Sequence, residues 1–421
     1  MRPSTTARAH FAYAGAFTAN APGGRSPAAD AAPARGITVF GVSADTGALR
    51  PLQSVASANP AHLVLDAAQS HLYAINEIDD YGAQGNAGSV EAYAVDPASG
   101  YIRLLNRQAI GIGPAHCSLH PSGNFMVVAS YAGAAFQLLP IEADGSVGPV
   151  VHTLQQSGSG PHPRQQGPHP HMALCHPGGR FIATTDLGND QVEILTIDGG
   201  QLRRVCAFPL PAGSGPRHLV FEAGALYVLS ELTARIAVIR FDPDTGQLGP
   251  VVTSVETVPL DFPAHKSTAA ILMHPTGEFL YVSNRKFSDH PLADSIVAFA
   301  VEDSGNRLRL IGHTTTDIAF ARTMAIDPSG DWLYAVNQKG DCIVQFAIDP
   351  ERGTLTPTGR RTPITTPTGL VFRTAWRAWR QAFKLPGEAG TGRPVQVGAG
   401  THALALIADF DPAAPRPPAP D

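Results

Sequence analysis

The chain has 421 residues, of which 43% are hydrophobic and 15% charged, and its net charge is −5. No block of like charge favours nucleic acid or an anionic membrane surface as a partner. Apolar runs stay short of the roughly eighteen residues of a membrane span, and no apolar signal segment follows the basic first residues. We therefore expect a soluble, cytoplasmic protein with no nucleic-acid or membrane partner.

Composition and periodicity both indicate many short strands. Glycine (42) and proline (37) are abundant, which suits tight turns. A repeating unit recurs along the chain. It consists of a polar residue, an apolar triplet, a turn and a second apolar strand that ends in polar groups. Six copies begin, in chain order, at His62, His116, Met172, His218, Ala270 and Thr323. Their starts are about 46 to 56 residues apart, which is the span of a four-stranded propeller blade.

The two ends of the chain are predicted to share a seventh blade. Residues 10–17, 36–42 and 49–55 match the second, third and fourth strands of the unit. Residues 368–372 supply its missing first strand. Closing the ring in this way removes the free edge that an open sheet would expose.

The sequence therefore predicts an all-β fold, a seven-bladed β-propeller with four-stranded blades, closed by N-terminal strands plus a C-terminal strand. We expect this single domain to cover residues 10–373. Residues 20–34, rich in Ala, Pro and Gly, should form an excursion from the split blade. Residues 374–421 are predicted to be a C-terminal extension, a short helix followed by a mobile tail.

Ionisable groups recur where the hairpins open. In a propeller the start of each first strand and the end of each second strand meet at one mouth of the central channel. The starts supply His62, His116, His169, His171, Arg217, His218, Lys266 and Arg322. The ends supply Asn76, Glu77, Tyr131, Asp186, Glu231, Asn284, Arg285 and Gln338. Such a mouth suits an anionic substrate and proton transfer.

The order of these motifs resembles the seven-bladed propeller lactonases, a family that includes bacterial 6-phosphogluconolactonases and fungal 3-carboxymuconate-lactonising cyclases. The resemblance covers about residues 10–372. It is carried by Asn76-Glu77, Arg164-Gln165, Pro168 to His171, Asp186 to Asp190, Gly215 to His218, Ser230 to Leu232 and Phe279 to Arg285. It implies a carboxylic-ester hydrolase of the pentose phosphate pathway that needs no cofactor and acts on a small anionic lactone, foremost 6-phosphogluconolactone. It also implies that the catalytic groups are His171 (or His169), Arg217, Glu231 and Arg285.

Residue chemistry suggests a mechanism. We expect His171 to be the general base that activates water, with Glu231 or Asp186 orienting it. Arg217 and Arg285 should bind the anionic group and stabilise the oxyanion. As mouth residues, His171 and Glu231 are expected to contribute little core burial, so that His171→Ala or Glu231→Gln should lower turnover strongly and leave folding intact. The predicted substrate-binding residues are His169, His218, Asp186, Glu77, Lys266, Arg322 and Gln338.

Other readings of the same residues stay open. His162, His169 and His171 could form a metal site, although we expect none, and Arg217 with Glu231 could be a structural ion pair. The protein could instead be a 3-carboxymuconate cycloisomerase using the same groups, or a non-catalytic binding scaffold, since fold does not determine function. Ile271 and Lys286 stand where relatives usually have an acidic residue and a glycine, which bears on the substrate.

Overall fold

A computed structural model describes residues 9–19, 35–82, 85–259, 262, 265, 267–286 and 289–374. These residues form 28 β-strands and one short 3₁₀ helix, Asp303–Gly305. The strands build seven antiparallel four-stranded sheets. The first strand of each sheet contacts that of the next all the way round, from the seventh sheet back to the first. The predicted seven-bladed propeller is therefore confirmed.

The blades follow the chain in order. Blade 1 contains β1 (Ala9–Ala16), β2 (Gly36–Val42), β3 (Leu49–Ala56) and β28 (Pro367–Thr374), and blade 2 contains β4 (Pro60–Leu65), β5 (His71–Asn76), β6 (Gly88–Val95) and β7 (Ile102–Ile110). Blade 3 contains β8 (Pro114–Leu119), β9 (Phe125–Ser130), β10 (Ala135–Pro140) and β11 (His152–Gln155), and blade 4 contains β12 (Pro170–Cys175), β13 (Ile182–Asp186), β14 (Gln191–Asp198) and β15 (Gln201–Pro209). Blade 5 contains β16 (Pro216–Glu222), β17 (Ala225–Ser230), β18 (Arg235–Phe241) and β19 (Leu248–Glu256). Blade 6 contains β20 (Thr268–Met273), β21 (Phe279–Asn284), β22 (Ser295–Glu302) and β23 (Arg307–Thr314), and blade 7 contains β24 (Ala321–Ile326), β25 (Trp332–Asn337), β26 (Cys342–Ile348) and β27 (Leu355–Pro363).

The ring closes as predicted, by pairing strands from the two ends of the chain. β1 pairs antiparallel with β28, so that Tyr13 lies opposite Val371. The chain divides into two units, Met1–Ala382 and Phe383–Asp421, and all described residues belong to the first. The predicted excursion at 20–34 and the predicted helix and tail after Thr374 lie outside the described residues.

Buried tyrosines join successive blades. Five occupy the same position on the second strand, and the hydroxyl of each donates to a glycine carbonyl in the turn between the third and fourth strands of the next blade. The pairs are Tyr13–Gly100, Tyr73–Gly145, Tyr227–Gly305, Tyr281–Gly353 and Tyr334–Gly47. At Gly47 and Gly305 a Cβ atom would lie only 2.5 Å from the tyrosine hydroxyl, and both have positive φ. Glycine is therefore required there by contact and by conformation.

The inner strand of every blade contains an irregularity just after its first residue. The register shift falls at or beside Ala61, Ala115, His171, Arg217, Ala269, Arg322 and Thr368. Such β-bulges re-aim a side chain and commonly occur next to active sites. The residue that follows each second strand then donates its backbone N–H to the loop before the inner strand. These residues are Phe17, Glu77, Tyr131, Leu187, Glu231, Arg285 and Gln338. We call them, with the bulge residues, the mouth residues.

Candidate active site

The bulges and the ends of the second strands bring most of the predicted site residues to one mouth. His171, Arg217 and Arg322 lie at bulges, and Glu77, Glu231, Arg285 and Gln338 follow second strands. His218 follows Arg217 in the chain, and His169 lies two residues before His171. Lys266 lies outside the described residues.

Glu231 is buried at the centre of a cluster of three arginines. Its Oε2 lies 3.0 Å from Arg217 Nε, and its Oε1 lies 2.6 Å from Arg285 Nη2. Arg164 Nη1 also donates to Oε1. The three guanidinium groups come from three different segments of the chain, and they surround a single carboxylate.

These arginines determine the protonation state of Glu231. Burial alone would raise the pKa of its carboxyl, but the charges of Arg285, Arg164 and Arg217 outweigh burial and lower the pKa to about 2. Glu231 is therefore ionised at neutral pH and is a poor proton acceptor. It holds the guanidinium groups in place, which is also what a structural ion pair would do.

Histidine and tyrosine rings lie beside the arginines. The His171 and His218 rings are 5.2 Å apart, and Tyr131 contacts the edge of His171 and stacks on His169 at 4.3 Å. Arg217 Nη1 donates to His218 Nε2 at 3.1 Å, so the lone pair on that nitrogen is occupied. Two further imidazoles lie nearby. The His116 ring is 6.1 Å from the His218 ring, and the His62 ring is 4.0 Å from the His116 ring.

His171 is neutral at neutral pH and has an unoccupied ring nitrogen. Burial, reinforced by the charge of Arg217, holds the pKa of His171 well below its ordinary 6.5. His171 Nδ1 is buried and has no hydrogen-bond partner among the described residues. The expected carboxylate beside His171 is thus not found there, because Glu231 is engaged by arginines and Asp186 faces a loop.

Asp186 holds the backbone of the mouth. Its Oδ1 accepts the N–H groups of His169 at 2.7 Å and Gly188 at 2.9 Å. The same position at the end of β5, β21 and β25 is occupied by an asparagine whose amide donates to a loop carbonyl: Asn76, Asn284 and Asn337. Burial raises the pKa of Asp186 to about 6. This pattern favours a loop-holding role for Asp186.

A second ion pair lies on another part of the mouth. Arg322 Nη2 donates to Glu77 Oε2 at 2.6 Å, and the Arg322 guanidinium lies 5.0 Å from the centre of the Phe17 ring. Gln338 is buried in blade 7, the blade that carries Arg322. Arg322 lies at the bulge of β24 and Glu77 follows β5, as Arg217 lies at the bulge of β16 and Glu231 follows β17, so both ion pairs are formed by mouth residues.

Sequence reasoning left two residues out of the site. Arg164 belongs to a quoted motif, but its loop between β11 and β12 is not a hairpin end, and only the structure brings it to Glu231. Phe320 is buried, has a positive φ of 56°, and its ring centre lies 5.3 Å from Arg285 Cζ. An aromatic residue with positive φ is a rare, strained conformation that cannot be read from the sequence.

The described residues contain neither a metal site nor a membrane-spanning helix. No three His, Cys, Asp or Glu side chains are grouped so that they could hold a metal ion. Among the same residues, no helix is long and apolar enough to cross a membrane.

Comparison with known proteins identifies the family. The family model described as a lactonase with a 7-bladed beta-propeller matches residues 12–372. The chain therefore belongs to the seven-bladed propeller lactonases. The resemblance noted in the sequence is thereby confirmed, together with the class of carboxylic-ester hydrolase.

Individual members of this lactonase family align over most of their length. A 6-phosphogluconolactonase of Bacillus subtilis is 30% identical over 325 residues, which are 76% of this chain and 89% of the relative. The structure of a Bacteroides fragilis protein has a TM-score of 0.76 and 27% identity, covering 88% of this chain and 99% of its own. The periplasmic gluconolactonase of Pseudomonas aeruginosa also has a TM-score of 0.76, at 26% identity, covering 86% of this chain and 98% of its own.

Proposed function

We propose that this propeller lactonase hydrolyses the lactone of a phosphorylated sugar acid, 6-phosphogluconolactone, to 6-phosphogluconate. The observation that carries the proposal is the arginine cluster around Glu231. The Bacillus subtilis relative, named 6-phosphogluconolactonase, supports the choice of substrate.

The charge of the mouth suits a dianion. The six side chains in its ion pairs, four arginines and two glutamates, have a summed formal charge of +2: Arg164, Arg217, Arg285, Arg322, Glu77 and Glu231. The neighbouring His171 and His218 add no charge, because burial holds the pKa of each well below 6.5. Guanidinium groups match the geometry of phosphate oxygens. A phosphate group would therefore offset the buried positive charge.

In the proposed reaction the His171 imidazole transfers protons and the arginines stabilise negative charge. His171 accepts a proton from water as the water oxygen attacks the lactone carbonyl. Arg217 and Arg285 stabilise the negative charge that develops on the carbonyl oxygen. The bond to the ring oxygen then breaks, His171 returns its proton to that oxygen, and the products are an acid and a hydroxyl. Glu231 is a positioning residue that fixes the two guanidinium groups.

The other predicted residues have supporting roles in this proposal. His169 and His218 flank the base, and Asp186 holds the loop that carries His169. Glu77, Arg322 and Gln338 contact the distant part of the substrate, and Lys266 is retained as a further cationic contact from its position in the sequence.

The test is hydrolysis of freshly generated 6-phosphoglucono-δ-lactone against its spontaneous rate. Unphosphorylated gluconolactone and 3-carboxymuconate are run alongside, each with and without a chelator. We expect fast, chelator-resistant turnover of the phosphorylated lactone, and a loss of at least about 100-fold in kcat for His171→Gln, the size of a general-base contribution. Selective conversion of carboxymuconate would instead favour the cycloisomerase, and no turnover of any compound would favour the binding scaffold.

A further inference from the structure

We propose that Arg164 determines the preference for a phosphorylated lactone, by exchanging its bond with Glu231 for bonds to the phosphate of the substrate. This inference rests on the proposed function and deepens it. Arg164 lies on the loop between β11 and β12, outside the hairpins that supply the rest of the mouth.

The first argument is the sharing of one carboxylate oxygen. Glu231 Oε1 accepts from both Arg164 Nη1 and Arg285 Nη2, whereas Oε2 faces Arg217 Nε alone. If Arg164 leaves, Glu231 still has one arginine on each oxygen, so the carboxylate is not left unpaired. Its departure therefore costs less than that of Arg217.

The second argument is the difference in burial among the three arginines. The side chains of Arg217 and Arg285 are 3% and 5% exposed, whereas that of Arg164 is 43% exposed. A long, half-exposed side chain can change rotamer without disturbing the core, and its charge is already partly hydrated. Its second contact, from Nη2 to the Tyr131 hydroxyl, is long at 3.3 Å. Arg164 is thus the arginine of this cluster that can turn towards a ligand.

The third argument is that the backbone under Arg164 is anchored. The next residue, Gln165, is fully buried, and its Nε2 donates to Leu187 O and to Asp190 Oδ1, both at 2.8 Å. Asp190 also accepts the N–H groups of Gly213 and Gly215 at 2.7 Å, in the segment that leads into β16. The loop is therefore tied to the strand that carries Arg217. Arg164 is presented at a fixed place, and only its side chain needs to move.

Phosphate is the ligand chemistry that fits such an arginine. A guanidinium can make two parallel bonds to phosphate oxygens, which its contact with a shared carboxylate oxygen does not exploit. A hydroxyl on an unphosphorylated lactone offers neither the charge nor the paired acceptors. Arg164 should therefore discriminate between the two lactones.

The experiment compares Arg164→Met and Arg164→Lys with wild type on 6-phosphoglucono-δ-lactone and on gluconolactone. Arg309→Met is the control, because Arg309 is 56% exposed and pairs with Glu302, at the end of β22 that is opposite the mouth. We expect Arg164→Met to lower kcat/KM for the phosphorylated lactone about 10- to 100-fold, mostly through KM, as for loss of a charged hydrogen bond. Arg164→Lys should retain part of the activity. For gluconolactone, Arg164→Met should lower kcat/KM much less than for the phosphorylated lactone, and the control variant should match wild type on both substrates.

Equal losses on both lactones would overturn the inference, because Arg164 would then act on the reacting centre or on the fold. Unchanged kinetics on both would overturn it as well. Binding of the product 6-phosphogluconate, measured by calorimetry against gluconate, separates this inference from the proposed function. If wild type hydrolyses neither lactone, the proposed function fails, while weaker product binding by Arg164→Met still supports the anion contact. Equal binding by the two proteins, or none, refutes it.

Discussion

Replacing Glu231 by Gln should lower the stability of the protein as well as its catalytic activity. The pKa of Glu231 is about 2 when folded and 4.5 when unperturbed, because its arginines outweigh the effect of burial. A difference of that size corresponds to roughly 3 kcal/mol at pH 7. Removing one partner from a buried ion pair typically costs about 3–5 kcal/mol, so the two estimates agree. The burial of Glu231 thus argues against the expectation that the mouth contributes little to stability.

The sign of the pH dependence gives a second readout. Because the folded pKa is depressed, the contribution of Glu231 is complete above about pH 4.5 and is lost as pH falls through about 2. The difference in stability between wild type and Glu231→Gln should therefore shrink when both are acidified. Effects of other titrating groups are common to the two proteins and cancel in the comparison.

The assay is urea unfolding at pH 7 and pH 3 in a buffer free of multivalent anions, which could bind the arginines. Asp317→Asn is the control, since the Asp317 and Arg361 side chains of its ion pair are 34% and 51% exposed. That variant should lose about 1 kcal/mol or less. If Glu231→Gln unfolds within about 0.5 kcal/mol of wild type at pH 7, a margin typical of surface substitutions, the reasoning about the arginine cluster is wrong.

Acid should also weaken the fold through its buried histidines. Burial lowers the pKa of His62 to about 4 and those of His116, His171 and His218 well below 6.5. The unfolded chain then binds more protons, so stability is complete above about pH 6.5 and falls towards pH 4. Equal urea midpoints at pH 7.5 and 5 would contradict this. Tyr281→Phe should cost about 1–2 kcal/mol by leaving Gly353 O without its donor, whereas the half-exposed Tyr101→Phe should be neutral in the same assay. A chain ending at 366 loses β28 and should fail to fold, because blade 1 then lacks its inner strand. A chain ending at 382, where the first unit ends, should keep the urea midpoint of wild type.

Part of the candidate site could be predicted because strand phase is a local property. Once the hairpins are aligned, the residues that begin and end them must recur at the same height in every blade. Arg217, Arg285 and Arg322 were found in this way. Roles were harder to predict. Asp186 is the last residue of β13 and faces a loop, whereas Glu231 is the first residue after β17 and faces arginines.

By itself, the sequence determined the number of blades, their strand order and the closure of the ring. These follow from a hairpin repeat about 46 to 56 residues long, whose alternation and turns are read within each unit. Only the tertiary structure decided which charges meet. Arg164, Arg217 and Arg285 are far apart in the chain and reach one carboxylate because bulges and neighbouring blades aim them there. Contacts between blades depend on the geometry of the whole ring, and no local pattern of residues encodes them.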